Sequence, residues 1–128
     1  MNSISRKQFL HNTALAGAAV LLSNLKTFAS DTDDKKIKVA VIGCGSVSGV
    51  YLPHLTKSPF VEVVSVCDIK YDRALKRAKE FNVPNSFPHI DKLLAGPHFD
   101  LMITLTDMQV HGMLNKQALN AGRNVWSE

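Results

Sequence analysis

A chain of 128 residues is long enough for one ordinary domain and too short for two. Its 45% apolar and 20% charged residues are the composition of a globular protein, which argues against disorder. The formal charge of +4 looks like a nucleic-acid footprint, but Arg6, Lys7 and Lys26 all precede the first acid, Asp31, and beyond residue 30 only 12 basic side chains face 11 acidic ones, which excludes a basic stripe and with it nucleic acid as a partner.

Residues 1–30 differ in kind from the rest. Arg6 and Lys7 make a basic start, the run from Thr13 to Leu22 is apolar, and small residues from Thr27 to Ser30 lead into Asp31, Asp33 and Asp34. That is the order of a secretory signal peptide, and it predicts export to the periplasm. The apolar run is about half the roughly 20 residues a membrane span needs, so no stable span is expected. Ser5 to Leu10 resembles the twin-arginine export signal, with Lys7 in place of the second arginine, and the small residues Ala14 and Ala16 to Ala19 suit that route. The general export route, and an amphipathic helix docked on the domain, are the alternatives. Residues 31–36 read as a polar linker.

The domain proper, residues 37–128, opens with the β-branched run Ile37 to Ile42, the pattern of a buried parallel strand. It ends in Gly43-Cys44-Gly45-Ser46-Val47-Ser48-Gly49, after which helical spacing places Val47, Val50, Leu52 and Leu55 on one face up to Lys57. A second strand, Val61 to Cys67, stops at Asp68. Each part has a task in holding a dinucleotide. Gly43 permits a tight turn, Gly45 lets a diphosphate approach the backbone, and the helix start at Ser46 and Val47 offers N–H groups to phosphates. Asp68, 23 residues after Gly45, stands where a carboxylate accepts from the adenosine ribose hydroxyls. The third motif position is Ser48 instead of glycine, and an α/β domain with a glycine turn and no nucleotide is the plainer reading.

A carboxylate at this point favours NAD, because it repels the additional phosphate of NADP. Lys70 and Arg73 lie just beyond it and are able to receive that phosphate, so NADP remains the alternative; a solvated first helical turn is the simpler account of both. Arg73 has the further option of stacking on adenine. Cys44 and Cys67 read as buried free thiols, with a cross-strand disulfide as the alternative.

Asp72 to Phe81 forms the next predicted helix, with Ala74, Leu75, Ala78 and Phe81 inward and Lys76, Arg77, Lys79 and Glu80 outward. A short strand at Ser86-Phe87 and a helical turn from Asp91 to Leu94, closed by Gly96-Pro97, come next. Leu101 to Leu105 is a buried strand, Thr106-Asp107 caps a helix running to Ala121, Gly122 stops it, and Asn124 to Ser127 opens a last strand. Trp126, Met102, Met108 and Met113 read as packing residues, and the histidines and cysteines show no metal-ligand spacing. Strand and helix alternate without hairpin signals, which predicts an α/β fold, a doubly wound parallel sheet of the Rossmann type.

The stretch from Ile37 to Glu128 resembles the cofactor domain of the Gfo/Idh/MocA family, the relatives of glucose–fructose oxidoreductase and inositol dehydrogenase. The resemblance is carried by Val41-Ile42-Gly43-Cys44-Gly45, Tyr51-Leu52-Pro53, Cys67-Asp68, Arg73-Ala74, Asp91 with Leu93-Leu94, Asp100-Leu101, Thr106 with His111, and Ala118-Leu119 through Ala121-Gly122-Arg123. Ser127-Glu128 fits the start of the family's Glu-Lys-Pro motif, whereas Asp107 departs from its usual proline.

The resemblance implies hydride transfer between NAD(P) and a sugar or polyol. Thr106, His111 and Glu128 would stand nearer the nicotinamide than Gly43, Gly45, Ser46, Val47, Asp68 and Arg73. It also implies that the family's catalytic lysine would follow Glu128 and that the substrate domain would come after it. The 128 residues therefore carry no catalytic residue of their own and are expected to be inactive alone, with the exposed face favouring self-association into a homo-oligomer. An NAD-dependent glycoside hydrolase working by redox elimination, and a non-catalytic nucleotide-binding module, are the alternatives.

Overall fold

The structure, a computed structural model, describes residues 35–128; the export signal expected over residues 1–30 lies outside them. Nine elements follow in order: β1 (Ile37–Ile42), α1 (Ser48–Lys57), β2 (Val61–Cys67), α2 (Tyr71–Phe81), β3 (Asn85–Phe87), α3 (Ile90–Ala95), β4 (Leu101–Thr104), α4 (Met108–Asn120) and β5 (Asn124–Ser127). The strands form one sheet in the order β3-β2-β1-β4-β5, every pair parallel.

Alternation along β1 divides the core in two. Val39 and Val41 pack with Leu52 of α1 and Ala74 of α2 on one face. Ala40 and Ile42 pack with Leu93 of α3 and with Leu114 and Ala118 of α4 on the other. Helices cover both faces, which makes the sheet doubly wound. The chain leaves β1 toward one face and β4 toward the other, so their C-terminal ends part and open a crevice at the switch point.

Strand β2 carries an irregularity that no periodicity announced. Val39 pairs with Val63 but Ala40 pairs with Ser65, so Val64 is an additional residue. Val63 and Val66 therefore share one face while Val64 and Cys67 share the other. Without the bulge, Cys67 and the residue after it would exchange faces.

Several side chains depart from their expected places. Val47 and Val50 are exposed, and the buried residues of α1 are Ser48 and Leu52, with Leu55 packed against the core. Leu75 is 45% exposed on α2. Met102 is buried as expected, but Met108 and Met113 are exposed on α4, and Trp126 lies half open on the edge strand with its ring 5.4 Å from that of Tyr51. Asp107 occupies the N-cap of α4 without a side-chain capping bond. Gly122 has the expected left-handed backbone, at φ 77°. Gly96 does not, at φ −82°. What requires glycine at 96 is space, since a Cβ would stand 2.6 Å from Cζ of Phe87.

Candidate functional site

The glycine loop leaves β1 at Gly43, whose φ of 100° is disfavoured for any residue with a side chain. A Cβ there would stand 2.6 Å from the carbonyl carbon of Leu105 and 2.8 Å from the nitrogen of Thr106. The exits of β1 and β4 thus pass backbone against backbone. The Gly43 N–H donates to the Cys67 carbonyl at 2.8 Å, which ties the loop to the end of β2.

Asp68 completes that junction. Its Oδ2 accepts from the Cys44 N–H at 2.8 Å and its Oδ1 from the Lys70 N–H at 2.7 Å. The residue is buried, 8% exposed. A carboxylate offers about four lone-pair positions, so each oxygen retains capacity for a hydroxyl donor. Asp68 both shapes the loop and is able to receive a ribose.

Gly45 is different from Gly43. A Cβ at Gly45 would meet nothing of the protein closer than Nη1 of Arg73 at 3.9 Å, so internal packing does not require glycine there. The bare backbone is of use to something that approaches from the crevice. Among the described residues none accepts a hydrogen bond from the N–H groups of Gly45, Ser46 or Val47. Three donors close together at the start of a helix are suited to phosphate oxygens.

The crevice has a volume of about 960 Å³ and is walled by Gly43, Gly45, Ser46, Val47, Asp68, Arg73 and Thr106 among others. That volume is at the upper end for small-molecule sites. Seven of the nine residues expected from the sequence thus meet in one place. The loop donors, the open approach at Gly45 and the remaining capacity of Asp68 fit a dinucleotide, with diphosphate on the loop and ribose on the carboxylate.

His111 and Glu128 are not on that wall. The His111 Nε2–H donates to the Thr106 carbonyl, which leaves Nδ1 to accept from the Ser127 hydroxyl at 2.9 Å. Its contacts are therefore to the β4–α4 loop and to the end of β5. Glu128 accepts a hydrogen bond from Tyr51, and this bond, with burial and the carboxylate charge, raises the Tyr51 phenol above its ordinary range. Both cysteines are free thiols, so the disulfide alternative is not formed. Cys44 and Cys67 are each pushed up to about 12, chiefly by burial, and the Asp68 charge adds to the effect on both.

Arg77 was expected on the solvent side of α2 and is not there. Its Nη2 donates to the Gly45 carbonyl at 3.1 Å, its Nε to the Ser48 hydroxyl at 3.0 Å, and its Nη1 to Glu80 at 2.8 Å. The available signal was spacing. Arg77 follows Ala74 by three residues and Arg73 by four, so it lies close to the buried stripe of the helix.

Residues 37–128 match the oxidoreductase family with the NAD-binding Rossmann fold, Gfo/Idh/MocA. An uncharacterized oxidoreductase of Synechocystis sp. is 27% identical over 97 residues, covering 76% of this chain and 26% of its own. The 3-ketoreductase KijD10 of Actinomadura kijaniata, solved with TDP-benzene and NADP, is 26% identical with a TM-score of 0.68, over 73% of this chain and 29% of that one. The WlbA dehydrogenase of Bordetella pertussis, solved with NADH and UDP-GlcNAcA, shares the fold at 22% identity and a TM-score of 0.69, over 73% of this chain and 28% of that one. The chain spans between about a quarter and a third of the length of each. It belongs to the Gfo/Idh/MocA oxidoreductase family, and residues 37–128 are its NAD-binding Rossmann fold.

Proposed function

We propose that this is the cofactor-holding part of an exported oxidoreductase that moves hydride between a nicotinamide dinucleotide and a carbon of a sugar or polyol. The observation that carries the reading is the set of uncommitted N–H groups at Gly45, Ser46 and Val47 beside a carboxylate, Asp68, with capacity left to bind hydroxyls. When bound, the nicotinamide supplies the hydride chemistry. The chain's own residues bind and orient: the loop takes the diphosphate, Asp68 the adenosine ribose, and Thr106 flanks the far side of the crevice.

NAD is the preferred cofactor on this reading, because the Asp68 carboxylate opposes a phosphate on the same ribose. Lys70 and Arg73, also on the crevice wall, make NADP the alternative. A sugar or polyol substrate is supported by family membership and by the likeness to a 3-ketoreductase. Export through a twin-arginine-like signal rests on the order of residues 1–30.

Protein isolated from its source cells tests the reading. It should come from the periplasmic fraction with its N-terminus between about residues 28 and 33. It should form NADH, followed at 340 nm, when given NAD with a sugar or polyol. Sugar release without net NADH would replace this reading with redox-elimination glycoside hydrolysis. Retained NAD with neither activity would replace it with a binding module, and cytoplasmic protein still carrying Met1 would overturn export.

A further inference from the structure

We infer that Arg77 is a positioning residue of the cofactor site: by gripping the Gly45 carbonyl and Ser48, it holds the glycine loop in the form that presents its N–H groups to a diphosphate. The inference rests on a dinucleotide occupying this crevice.

Position 48 departs from the usual glycine motif. The third glycine of that motif normally allows the helix to pack closely on the strand. Ser48 brings a hydroxyl into that place, with the residue 0% exposed. A buried hydroxyl without partners is costly. This one has two: it donates to the Gly45 carbonyl at 2.6 Å and accepts from Nε of Arg77 at 3.0 Å. Nη2 of Arg77 then reaches the same carbonyl at 3.1 Å, so one carbonyl accepts from two donors.

That arrangement sets the direction of a neighbouring group. No peptide bond in the described chain is cis. In a trans peptide the N–H points opposite to the carbonyl of the same unit. Fixing the Gly45 carbonyl toward Arg77 and Ser48 therefore fixes the Ser46 N–H in the opposing direction. Gly49 belongs to the same device, because a Cβ there would stand 3.0 Å from Nη2 of Arg77 and crowd the guanidinium. Glu80 holds the third nitrogen, and the Arg77 side chain is only 18% exposed, so its orientation is well determined. Serine and arginine together take over the ordering of a loop that a glycine at this position would leave to the backbone. A lysine at 77 would keep the charge but not the planar fork that serves both acceptors.

The test uses the full 128-residue chain and its Arg77→Lys and Ser48→Ala variants, with affinities measured for NADH, ADP-ribose and adenosine and with thermal midpoints recorded. Arg77→Lys should weaken NADH and ADP-ribose, which carry the diphosphate, about tenfold while adenosine stays within about twofold. Ser48→Ala leaves Arg77 and its charge in place and should show the same selective loss, smaller in size. The double variant should lose less than the product of the two single losses, since both act through one carbonyl. Unchanged NADH affinity in Arg77→Lys would mean that charge alone matters and would overturn the inference. Equal losses for all three ligands would reduce Arg77 to a general packing residue and overturn it as well. Wild-type chain that binds none of the diphosphate ligands would instead overturn the cofactor reading on which it rests.

Discussion

Alanine at position 43 is expected to abolish dinucleotide binding and to destabilise the fold by roughly 3 kcal/mol or more. Two independent costs combine. The φ of 100° is strained for alanine. The new Cβ would also meet backbone, not a yielding side-chain tip: Leu105 carbonyl carbon at 2.6 Å, its oxygen at 2.7 Å and Thr106 nitrogen at 2.8 Å. Relief requires β1 and β4 to part at the point where the crevice opens, which displaces Thr106 and the loop together. Urea denaturation and NADH titration of Gly43→Ala check both effects. Wild-type stability with retained binding would show that the two strand exits are not in the contact described.

Asp68→Asn is expected to weaken NADH binding about 10- to 100-fold. The carboxylate accepts from Cys44 and Lys70 with its two oxygens, and an asparagine amide accepts with only one. Its NH₂ group must then face one of those N–H donors, so the loop loosens as well as losing a charged acceptor for the ribose. NADPH should lose less, because the repulsion of its phosphate is removed along with the charge. It should not gain outright, since the loosened loop handicaps both cofactors. Calorimetric titration of both nucleotides decides the matter. Equal losses would mean that Asp68 organises the loop and does not contact the ribose.

The strands and the glycine loop were legible in the sequence because they depend on residue types that leave little choice. The β-branched runs marked Ile37–Ile42 and Val61–Cys67 to the residue, and the strand expected after the stop at Gly122 is found at Asn124–Ser127. Gly43 and Asp68 announced their places through spacing. Phase within a buried strand was not legible. Val61 to Cys67 is nearly apolar throughout, so nothing in it marks the bulge at Val64 that determines which face Cys67 takes.

Residue type misled where it outweighed position. Arg77 was assigned to solvent by its charge, although its spacing from Ala74 placed it beside the buried stripe. Val47 and Val50 were assigned inward because they are apolar, whereas the small Ser48 has the buried place on α1. Met108 at the start of α4, Met113 on the crevice wall and Trp126 on the edge strand depart likewise, since a single apolar side chain at the surface need not be covered. His111 does not line the crevice, and its ring nitrogens are committed to Thr106 and Ser127.

On the proposed function, the crevice between β1 and β4 binds a nicotinamide dinucleotide through the glycine loop. Trp126 is the one tryptophan of the chain, so its fluorescence reports on NADH by energy transfer without a competing emitter. The most direct measurement is a titration of the folded chain with NADH, repeated in the presence of ADP-ribose and with the Gly43→Ala variant. Saturable quenching of Trp126 that ADP-ribose reverses and that Gly43→Ala lacks is the expected result. A chain that melts cooperatively yet shows no saturable signal up to millimolar NADH, or one whose signal survives in a folded Gly43→Ala variant, would mean that the glycine-loop crevice is not a dinucleotide site.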